Sequence, residues 1–462
     1  MGPRCLQAVM LLWVFGAGSA IAQPDFVSNE SLASLELRKF WQLQLPLLTG
    51  QSVADAFLVD DQLYLTTPDG YAYAVHAPTG TLRWSKQVTT AGYRLKQPAH
   101  GGDLTIFATP SQILQFDRLY GTRTRAIDLR FPAGSAPTVS ESRIYLAGID
   151  RRVYAFELSE SFSFWKGLTG GPNESKPLVV GDRVYFASTD GFVYCLRTAD
   201  HSLIWRSRPR MGSITADLAV DAEGVYAASR DRSLYQLELG TGVARWRART
   251  SASLYEPPHV ATGRVYQYNE VDGLIALDTA VLGVEERTKW TLTAGRRVLS
   301  QVGDDLLVQA RDQRLLRVNA ESGEIQAAAG VPGFTLGVSA TGDAVAYLVS
   351  TDGRVFCARP TDVPFAKADE VRHAFYSDKP KAVAAATDAK PVEAPKTPSV
   401  SDVLTSKLGR APIGGKSKIS REFGGTGTPA PTPAPSSQPA ADDTPEATDE
   451  PAEPAKEDGE TP

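Results

Sequence analysis

Apolar and polar residues follow a short-period pattern that repeats along most of the chain, and its first copy spans residues 57–84. There, four runs rich in apolar and β-branched residues are separated by turn-forming residues. Asp69-Gly70 separates the second run from the third, and Thr79-Gly80 precedes a fourth run that ends at Trp84. Short, partly alternating runs bounded by Asp and Gly indicate β-strands joined by hairpins. The pattern predicts a four-stranded antiparallel unit with a two-residue turn at Asp69-Gly70.

An aspartate in the second turn shows that this unit recurs. Successive copies of the aspartate lie 81, 40, 41, 41, 40 and 40 residues apart, and the double step spans one unit that carries Pro110-Ser111 instead. The seven residues are Asp69, Asp150, Asp190, Asp231, Asp272, Asp312 and Asp352. A fixed period of about 40 residues is typical of repeat folds, and here it predicts eight units.

Tryptophans at the end of the fourth strand keep the same period. They are Trp84, Trp165, Trp205, Trp246 and Trp290, in units 1, 3, 4, 5 and 6. Units 2 and 7 lack the tryptophan, and Arg125 and Ala327 lie at or near its place.

The eighth unit has only three strands of its own before Pro360 ends the pattern. A spare strand at residues 39–45 precedes unit 1 and carries Trp41. If this strand completes the eighth unit, the repeats close into a ring without a free edge. Period-2 patterning disfavours a solenoid of paired helices. The prediction is an all-β, eight-bladed β-propeller of four-stranded antiparallel blades over residues 39–362, closed by its N-terminal strand.

The N-terminal end differs from the repeats. Residues 6–18 are apolar and Ala20-Ile21-Ala22 fits a cleavage site, so residues 1–22 are predicted to be a secretory signal, followed by a lead-in at residues 23–38. Cys5 precedes the apolar stretch instead of following it, which argues against lipid attachment. The predicted location is periplasmic or secreted. With no run of 18 apolar residues, no transmembrane segment is predicted.

The C-terminal end, residues 363–462, is predicted to be a disordered tail. Fourteen of the 31 prolines lie in residues 371–462, and such a stretch buries too little apolar surface to offset its ordering entropy. Residues 441–462 carry nine acidic residues and one lysine, a charge of −8. Since the whole chain has a net charge of −5, the rest carries about +3, and the overall acidity says little about partners. An amphipathic island at residues 400–408 is either a transient helix or a docking helix.

The turn before the fourth strand identifies the type of repeat. In unit 5, Thr241-Gly242 precedes Trp246 at the same distance at which Thr79-Gly80 precedes Trp84 in unit 1. This spacing resembles the Ala-x-Asp-x-x-Thr-Gly-x-x-x-Trp repeat of quinoprotein-type (PQQ-like) β-propellers, over about residues 39–360. The resemblance implies that each tryptophan packs between neighbouring blades.

One branch of such propellers consists of dehydrogenases that use pyrroloquinoline quinone and calcium and often carry an adjacent Cys-Cys disulfide. This sequence has no Cys-Cys pair. Cys195 and Cys357 hold the same strand position in units 4 and 8, on opposite sides of the ring, so they are not expected to pair. The five histidines show no clustering along the sequence. We therefore predict no catalytic, cofactor-binding or metal-binding residue and no cofactor.

The non-catalytic branch includes the BamB-like propellers of the machinery that assembles outer-membrane β-barrel proteins. The chain resembles them in blade number, repeat type and export, and departs from them in its long tail and missing lipid-attachment site. We predict an exported monomeric scaffold that binds protein in the cell envelope through loops at one rim or at a blade edge, and that binds no nucleic acid. The alternatives are a PQQ-dependent dehydrogenase of alcohols or sugars and a cell-surface ligand sensor.

Two repeated features admit a second interpretation. The seven aspartates could form a collar for a cation or ligand, but turn preference alone explains their spacing and is favoured. Arginines alternate with other residues in 206–210 and 245–249, which on a strand places them on one face. Charge protection of an exposed edge strand is favoured there over a basic docking face.

Overall fold

The predicted strands all form, and the turns between them give sheets of four. The computed structural model describes residues 25–90, 92–159, 163–207, 210–261, 263–280, 287–340 and 342–375, with only the backbone described at 163–165 and 374–375. The chain divides into two units, Met1–Ala385 and Ala386–Pro462, and the described residues lie in the first. The predicted signal peptide, the island at 400–408 and the acidic end lie outside the described residues.

Eight antiparallel sheets of four strands follow one another along the chain. The chain begins with α1 (Asn29–Ala33) and β1 (Leu37–Gln44). Blades 1 to 4 comprise, in turn, β2 (Asp55–Val59), β3 (Gln62–Thr66), β4 (Tyr71–His76) and β5 (Thr81–Gln87); β6 (Ala99–Gly101), β7 (Leu104–Ala108), β8 (Gln112–Asp117) and β9 (Arg123–Asp128); β10 (Thr138–Ser140), β11 (Arg143–Ala147), β12 (Arg152–Glu157) and β13 (Ser163–Leu168); β14 (Leu178–Val180), β15 (Arg183–Ala187), β16 (Val193–Arg197) and β17 (Leu203–Arg206).

Blades 5 to 7 comprise β18 (Ala219–Val220), β19 (Val225–Ser229), β20 (Ser233–Leu237) and β21 (Ala244–Arg249); β22 (His259–Ala261), β23 (Arg264–Asn269), β24 (Gly273–Asp278) and β25 (Thr288–Leu292); β26 (Gly295–Val302), β27 (Asp305–Ala310), β28 (Arg314–Asn319) and β29 (Ile325–Gly330). Blade 8 joins β30 (Phe334–Val338), β31 (Ala346–Ser350) and β32 (Arg354–Pro360) to β1, and α2 (Ala368–Phe375) follows. The all-β, eight-bladed prediction is confirmed. Neither of these two helices is long and apolar enough to cross a membrane.

The ring closes where β1 pairs with β32. The register runs from Leu37 opposite Pro360 to Gln44 opposite Arg354, with Trp41 opposite Cys357. The N-terminal strand is therefore the outermost strand of blade 8, as the unpaired eighth unit predicted. The closing strand begins two residues earlier than predicted, at Leu37.

The first strands of the blades surround the centre of the ring. Neighbouring blades contact each other through their first strands, as in β2 with β30, β6 with β10, β10 with β14, β18 with β22 and β26 with β30. The second and third strands form the core, and every residue of β3, β20 and β31 is buried. Because buried clusters span adjacent blades, each blade depends on its neighbours for its apolar contacts.

The seams between blades explain the Thr-Gly and tryptophan positions of the repeat. Each described tryptophan of the fourth strands donates its Nε1–H to a carbonyl in the turn of the next blade: Trp41 to Ala77 (2.9 Å), Trp84 to Arg118 (3.0 Å), Trp205 to Leu239 (3.0 Å), Trp246 to Thr279 (3.3 Å) and Trp290 to Ala320 (2.9 Å). The indole also lies against the turn glycine. At Gly242 (φ +70°) a Cβ atom would lie 2.3 Å from Trp205 Cε3, so this position has no room for a side chain.

The two units without tryptophan fill the seam in other ways. Arg125 holds the register position of the tryptophan and donates to the carbonyl of Ser159 in blade 3. Ala327 holds it in blade 7, where the lead-in takes the space: Leu32 and Leu35 are fully buried in the cluster against which Ala327 packs. The lead-in thus belongs to the propeller core.

The predicted tail begins too early. Residues 361–375 follow blade 8 and include α2, and Phe365 stacks on Phe40 of β1 with ring centroids 5.4 Å apart. The guanidinium of Arg38 lies 3.9 Å from the centre of the Phe365 ring and donates to the carbonyl of Val363. α2 contacts β5 of blade 1. An aromatic and cation–π contact therefore holds the chain against the propeller beyond its last strand.

Candidate functional site

A central cavity opens where the chain enters the first strands, and we call it the axial mouth. Its volume is about 350 Å³, and blades 1 to 6 all contribute to it. It is lined by Asp55, Phe57, Arg94, Leu95, Lys96, Gln97, Ala136, Glu174, Thr215, Ala216, Asp217, Tyr255 and Pro257. Because one cavity touches six consecutive blades, it lies on the axis of the ring.

In blades 2 to 6 the lining comes from the segment just before the first strand, and in blade 1 it comes from Asp55 and Phe57 of β2 itself. A proline directly precedes that strand in four blades, at Pro98, Pro137, Pro177 and Pro258. Proline has no N–H and is tolerated at the start of a strand. It therefore cannot donate a hydrogen bond to another strand at the inner edge of the blade. The residues just before three of these prolines, Gln97, Ala136 and Pro257, line the mouth.

Most charges around the mouth are paired. Arg94 forms a two-pronged ion pair with Asp55 across the gap between blades 2 and 1. Glu256 accepts from Arg296 at 3.0 Å and from Arg297 at 3.3 Å. These pairs link neighbouring blades at the rim, where partial solvent exposure keeps their individual contributions small.

Two lysines, Lys96 in the lining of the mouth and Lys176 beside its Gln97, are arranged differently. Lys176 Nζ lies 3.3 Å from Gln97 Oε1, two blades away, and its backbone N–H donates to Asp217 Oδ1 at 2.6 Å. Lys96 Nζ donates to the carbonyl of Gly134 and lies 3.5 Å from that of Glu174. Burial lowers the pKa of both lysines and raises the pKa of Asp217.

The repeated aspartates serve the turns. In blades 3, 4 and 5 a tyrosine four residues later donates its hydroxyl to the carboxylate: Tyr154 to Asp150 (2.6 Å), Tyr194 to Asp190 (2.5 Å) and Tyr235 to Asp231 (2.6 Å). In the other blades the partners are near in sequence or in the adjoining loop, as for Asp69 with Gln51 (2.6 Å) and Asp272 with the Ser251 N–H (2.9 Å). These contacts agree with the favoured turn interpretation.

The turn itself is longer than predicted. Gly70 has φ +84°, but Asp69 does not have positive φ, and the N–H of Thr67 bonds to the carbonyl of Tyr71 at 3.0 Å. Three residues, 68–70, therefore form the loop, with the glycine alone in the left-handed region. The two-residue prediction was wrong because the Asp-Gly preference is shared by both loop types.

The two arginine runs differ in the structure. On β21 the residues alternate as predicted, with Arg245, Arg247 and Arg249 exposed and Trp246 buried. Carboxylates neutralise two of them: Glu223 lies 3.1 Å from Arg245 and Asp231 lies 3.4 Å from Arg247. In the other run the strand ends at Arg206, so that run does not form a strand face.

Two histidines lie beside the adjacent carboxylates Asp60 and Asp61 at the seam of blades 1 and 2. His100 Nδ1 lies 2.7 Å from Asp60 Oδ2, and His76 Nε2 lies 3.7 Å from Asp61 Oδ2. Arg118 pairs with Asp61 between them. The two histidines come from strands of different blades, so their common neighbourhood is not visible in the spacing of the sequence. Burial lowers the pKa of His76 to about 4 and also lowers that of His100.

Both described cysteines are buried thiols without a disulfide. Cys195 lies opposite Trp205 and Cys357 opposite Trp41, so they share one register position as predicted. Burial raises the pKa of Cys195 to about 11 and that of Cys357 to about 12. Both are therefore poor nucleophiles in the folded protein.

Exposed apolar side chains recur at the rim opposite the axial mouth, and they were not predicted from the sequence. They lie in the turn before the fourth strand or at its start: Tyr120, Leu203, Val243 and Ile325. Leu203 is 59% exposed and Val243 is 48% exposed, in neighbouring blades 4 and 5. For Leu203, Val243 and Ile325 the detectable signal was an apolar residue two or three positions before the tryptophan position, whereas Tyr120 lies five positions before Arg125. We call these four residues the outer apolar rim.

Pyrroloquinoline quinone with calcium is the cofactor that the repeat type implies for the mouth. Within the described ranges, no three His, Cys, Asp or Glu side chains come together as a metal site. Asp55 and Glu256 are already engaged by arginines. The residues of the mouth do not fit a calcium–quinone pair.

Comparisons with known proteins agree on the fold. Residues 189–360 match the family described as outer membrane protein assembly factor BamB. The crystal structure of BamB from Moraxella catarrhalis is similar with a TM-score of 0.56 and 16% identity, covering 70% of this chain and 99% of that one. A computationally designed protein, Ika8, is similar with a TM-score of 0.55 and 10% identity, covering 68% and 98%. No curated protein sequence matches the chain. The chain is thus an eight-bladed β-propeller that fits a PQQ-like repeat protein, and its residues 189–360 are similar to the BamB family.

Proposed function

We propose that this protein is an exported, non-catalytic scaffold that binds protein partners in the cell envelope during the assembly of outer-membrane proteins. The observation that carries the proposal is the match of residues 189–360, from the second turn of blade 4 to the end of blade 8, to the BamB family description. The fold alone does not select a function, since the designed protein Ika8 has a similar fold.

The outer apolar rim supports a protein-binding role. Leu203 and Val243 lie on neighbouring blades at the same end of the strands, and Arg245 and Arg247 follow on the exposed face of β21. Apolar side chains flanked by arginines are enriched in protein interfaces. This surface is our candidate for the partner contact.

The proposal includes the absence of catalysis. It is supported by the buried, high-pKa thiols of Cys195 and Cys357 and by a mouth whose residues do not fit calcium with a quinone. Adding the quinone and calcium to the purified protein and measuring dye reduction with alcohols and sugars tests this part. Tight quinone binding with turnover would replace the scaffold proposal by the dehydrogenase alternative.

Crosslinking in cells, followed by identification of the captured proteins, tests the scaffold role. A double variant, Leu203→Glu with Val243→Glu, places charges on the outer apolar rim. A matched control, Ile149→Glu with Val271→Glu, changes exposed apolar residues in the turns between the second and third strands, at the rim that carries the axial mouth. We expect a component of the outer-membrane assembly machinery to be captured by the wild type and the control, and to be lost with the double variant.

Recovery of no such component by the wild type would contradict the proposal, and equal recovery by both double variants would contradict the assignment of the surface. The location is tested separately, by fractionating the envelope and sequencing the N-terminus of the purified protein. A start at Gln23 in the periplasmic fraction is the expected result.

A further inference from the structure

The second turn of blade 2 is shorter than those of blades 1, 3 and 4, and it lacks the repeated aspartate. In those three blades the turn is closed by an N–H that donates to the carbonyl four residues later: Thr67 to Tyr71 (3.0 Å), Gly148 to Arg152 (2.8 Å) and Ser188 to Phe192 (3.1 Å). In blade 2 the Thr109 N–H donates to the carbonyl of Gln112 at 2.8 Å. Only Pro110 and Ser111 therefore form this turn.

Elsewhere the turn aspartate fills the space beside the connection that enters its blade. Asp69 accepts from Gln51 of the connection into blade 1 at 2.6 Å. In blade 4 the fit is tighter still, because a Cβ added to Gly170 of the connection would lie 2.2 Å from Asp190 Oδ2. Blade 2 has no carboxylate at this place. A cavity of about 530 Å³ lies there, between the turn and the connection from blade 1, and we call it the blade-2 groove.

Hydroxyl and amide groups line the blade-2 groove, and no charged side chain of the described residues does so. The amide of Gln87 and the hydroxyls of Thr89, Thr90 and Ser111 are among these groups. Hydroxyls and amides each offer both donors and acceptors. A charged ligand would lose solvation here without gaining an opposite charge. The lining therefore favours a neutral ligand that carries hydroxyl groups.

Backbone groups on both sides of the groove are already hydrogen-bonded. The Thr89 N–H donates to the carbonyl of Gly70 at 3.2 Å, and the carbonyl of Ser111 accepts from the Leu129 N–H at 2.7 Å. An extended peptide that adds a strand to a sheet binds through free backbone groups. Because the side chains of the groove supply its available polar groups, the lining favours a saccharide over an added strand.

One aromatic ring gives the groove an apolar surface. Tyr93 lines it, is partly buried and packs against the apolar cluster that blades 1 and 2 share. Such a ring offers a large, rigid contact area at a fixed place. The volume of about 530 Å³ falls within the range of small-molecule sites, which combine apolar walls with a few convergent polar groups.

We propose that the blade-2 groove binds a neutral saccharide, with the apolar C–H face of one sugar ring on Tyr93 and its hydroxyl groups bonded to the hydroxyls and amides of the lining. A site that hydrogen-bonds ligand hydroxyls discriminates against ligands that lack them. The groove shares no lining residue with the axial mouth and lies away from the outer apolar rim. The inference therefore does not depend on the proposed scaffold function.

Saturation-transfer NMR of the full chain tests the site, with cellobiose, maltose and N,N′-diacetylchitobiose as probes at concentrations up to 10 mM. We expect at least one of them to bind, with the strongest transfer to the C–H protons of one sugar face. Tyr93→Ala removes the ring, and Ser111→Leu removes a hydroxyl and adds bulk in the groove. Each variant should weaken binding of that disaccharide at least fivefold.

Matched controls separate the groove from the rest of this rim. Tyr255→Ala removes an exposed ring from the axial mouth, and Thr49→Leu changes an exposed hydroxyl in the connection into blade 1. Both should bind as the wild type does. Tyr93→Phe keeps the ring and should bind within about threefold of the wild type. The unfolding midpoint of each variant shows whether a loss of binding reflects a loss of fold.

The proposal fails if the wild type binds none of the three disaccharides at 10 mM, or if folded Tyr93→Ala and Ser111→Leu both bind as the wild type does. Loss of binding in Tyr255→Ala with retention in Tyr93→Ala would overturn the location. A Gly-Ser tetrapeptide with blocked termini is a second arm, and its binding without any saccharide binding would overturn the ligand class.

Discussion

Replacing the turn glycine of blade 5 tests whether tryptophan stacking on glycine is what couples the blades. In Gly242→Ala the new Cβ would lie 2.3 Å from Trp205 Cε3 and 2.7 Å from Cδ2, far inside van der Waals contact. The indole cannot swing away freely, because it is buried, lies 5.6 Å from the Tyr185 ring and donates to the Leu239 carbonyl.

The expected cost has two parts that a control separates. Alanine in the left-handed region costs about 1–2 kcal/mol, and overpacking a close contact costs about 1–3 kcal/mol more. Gly181 also has positive φ, +58°, but nothing lies within 4 Å of its Cβ position. Gly181→Ala therefore measures the backbone part alone, and Gly242→Ala should lower the free energy of unfolding by about 1–3 kcal/mol beyond it.

Urea unfolding followed by tryptophan fluorescence and by far-ultraviolet circular dichroism measures both variants. A third measurement places Gly242→Ala in a Trp205→Leu background. Removing the indole removes the clash, so in this background Gly242→Ala should cost no more than Gly181→Ala. The difference between the costs of Gly242→Ala in the two backgrounds is the coupling energy of the pair. If Gly242→Ala costs no more than Gly181→Ala, or if its extra cost survives without Trp205, the stacking explanation of the repeat is wrong.

Three other outcomes follow from the structure. Leu32→Ala, at a fully buried position of α1, should lower the free energy of unfolding by about 2–5 kcal/mol, whereas exposed Glu30→Ala should have little effect; equal effects would contradict a core role of the lead-in. Burial lowers the pKa of His76 to about 4, so between pH 6.5 and 4 the unfolded chain takes up a proton that the folded chain does not, and stability falls with falling pH by up to about 1.4 kcal/mol per pKa unit. His76→Gln should flatten this loss, measured as unfolding midpoints at pH 7.5 and 5, while His373→Gln on the exposed side of α2 should not; an unchanged slope in His76→Gln would contradict the assignment. Cys195 and Cys357 should resist iodoacetamide in the native protein at pH 8 and react in urea, as read by mass spectrometry of the labelled peptides; native labelling at either position would show that its seam opens.

The blade count and the seams were predictable because their signals are local. Each blade is a run of hairpins, and the Asp and Gly of its turns act within a few residues. The pairing of β1 with β32 followed from counting strands, since an eighth unit with three strands needs one more. Arg125 and Ala327 were placed correctly for the same reason.

What fills the seam at Ala327 was not predictable from the repeat. Leu32 and Leu35 of the lead-in lie nearly 300 residues earlier in the chain, and only ring closure brings them there. The contact of Phe365 with Phe40 arises in the same way, because the two ends of the propeller meet at blade 8. Composition predicted a tail from residue 363 because the stretch has a low apolar content. Composition does not reveal an individual contact such as that of Phe365 with Phe40.

The sequence by itself determined that this chain is a closed ring of eight blades, because hairpin turns and the strand period are encoded residue by residue. The tertiary structure alone decided where its chemistry lies. Lys176 and Gln97 are 79 residues apart in the sequence. Lys176 Nζ lies 3.3 Å from Gln97 Oε1 because ring closure brings blades 2 and 4 close together near the axis. Folding also changes the solvation of Lys96 and Lys176, because it buries both ammonium groups away from water and thereby lowers the pKa of both.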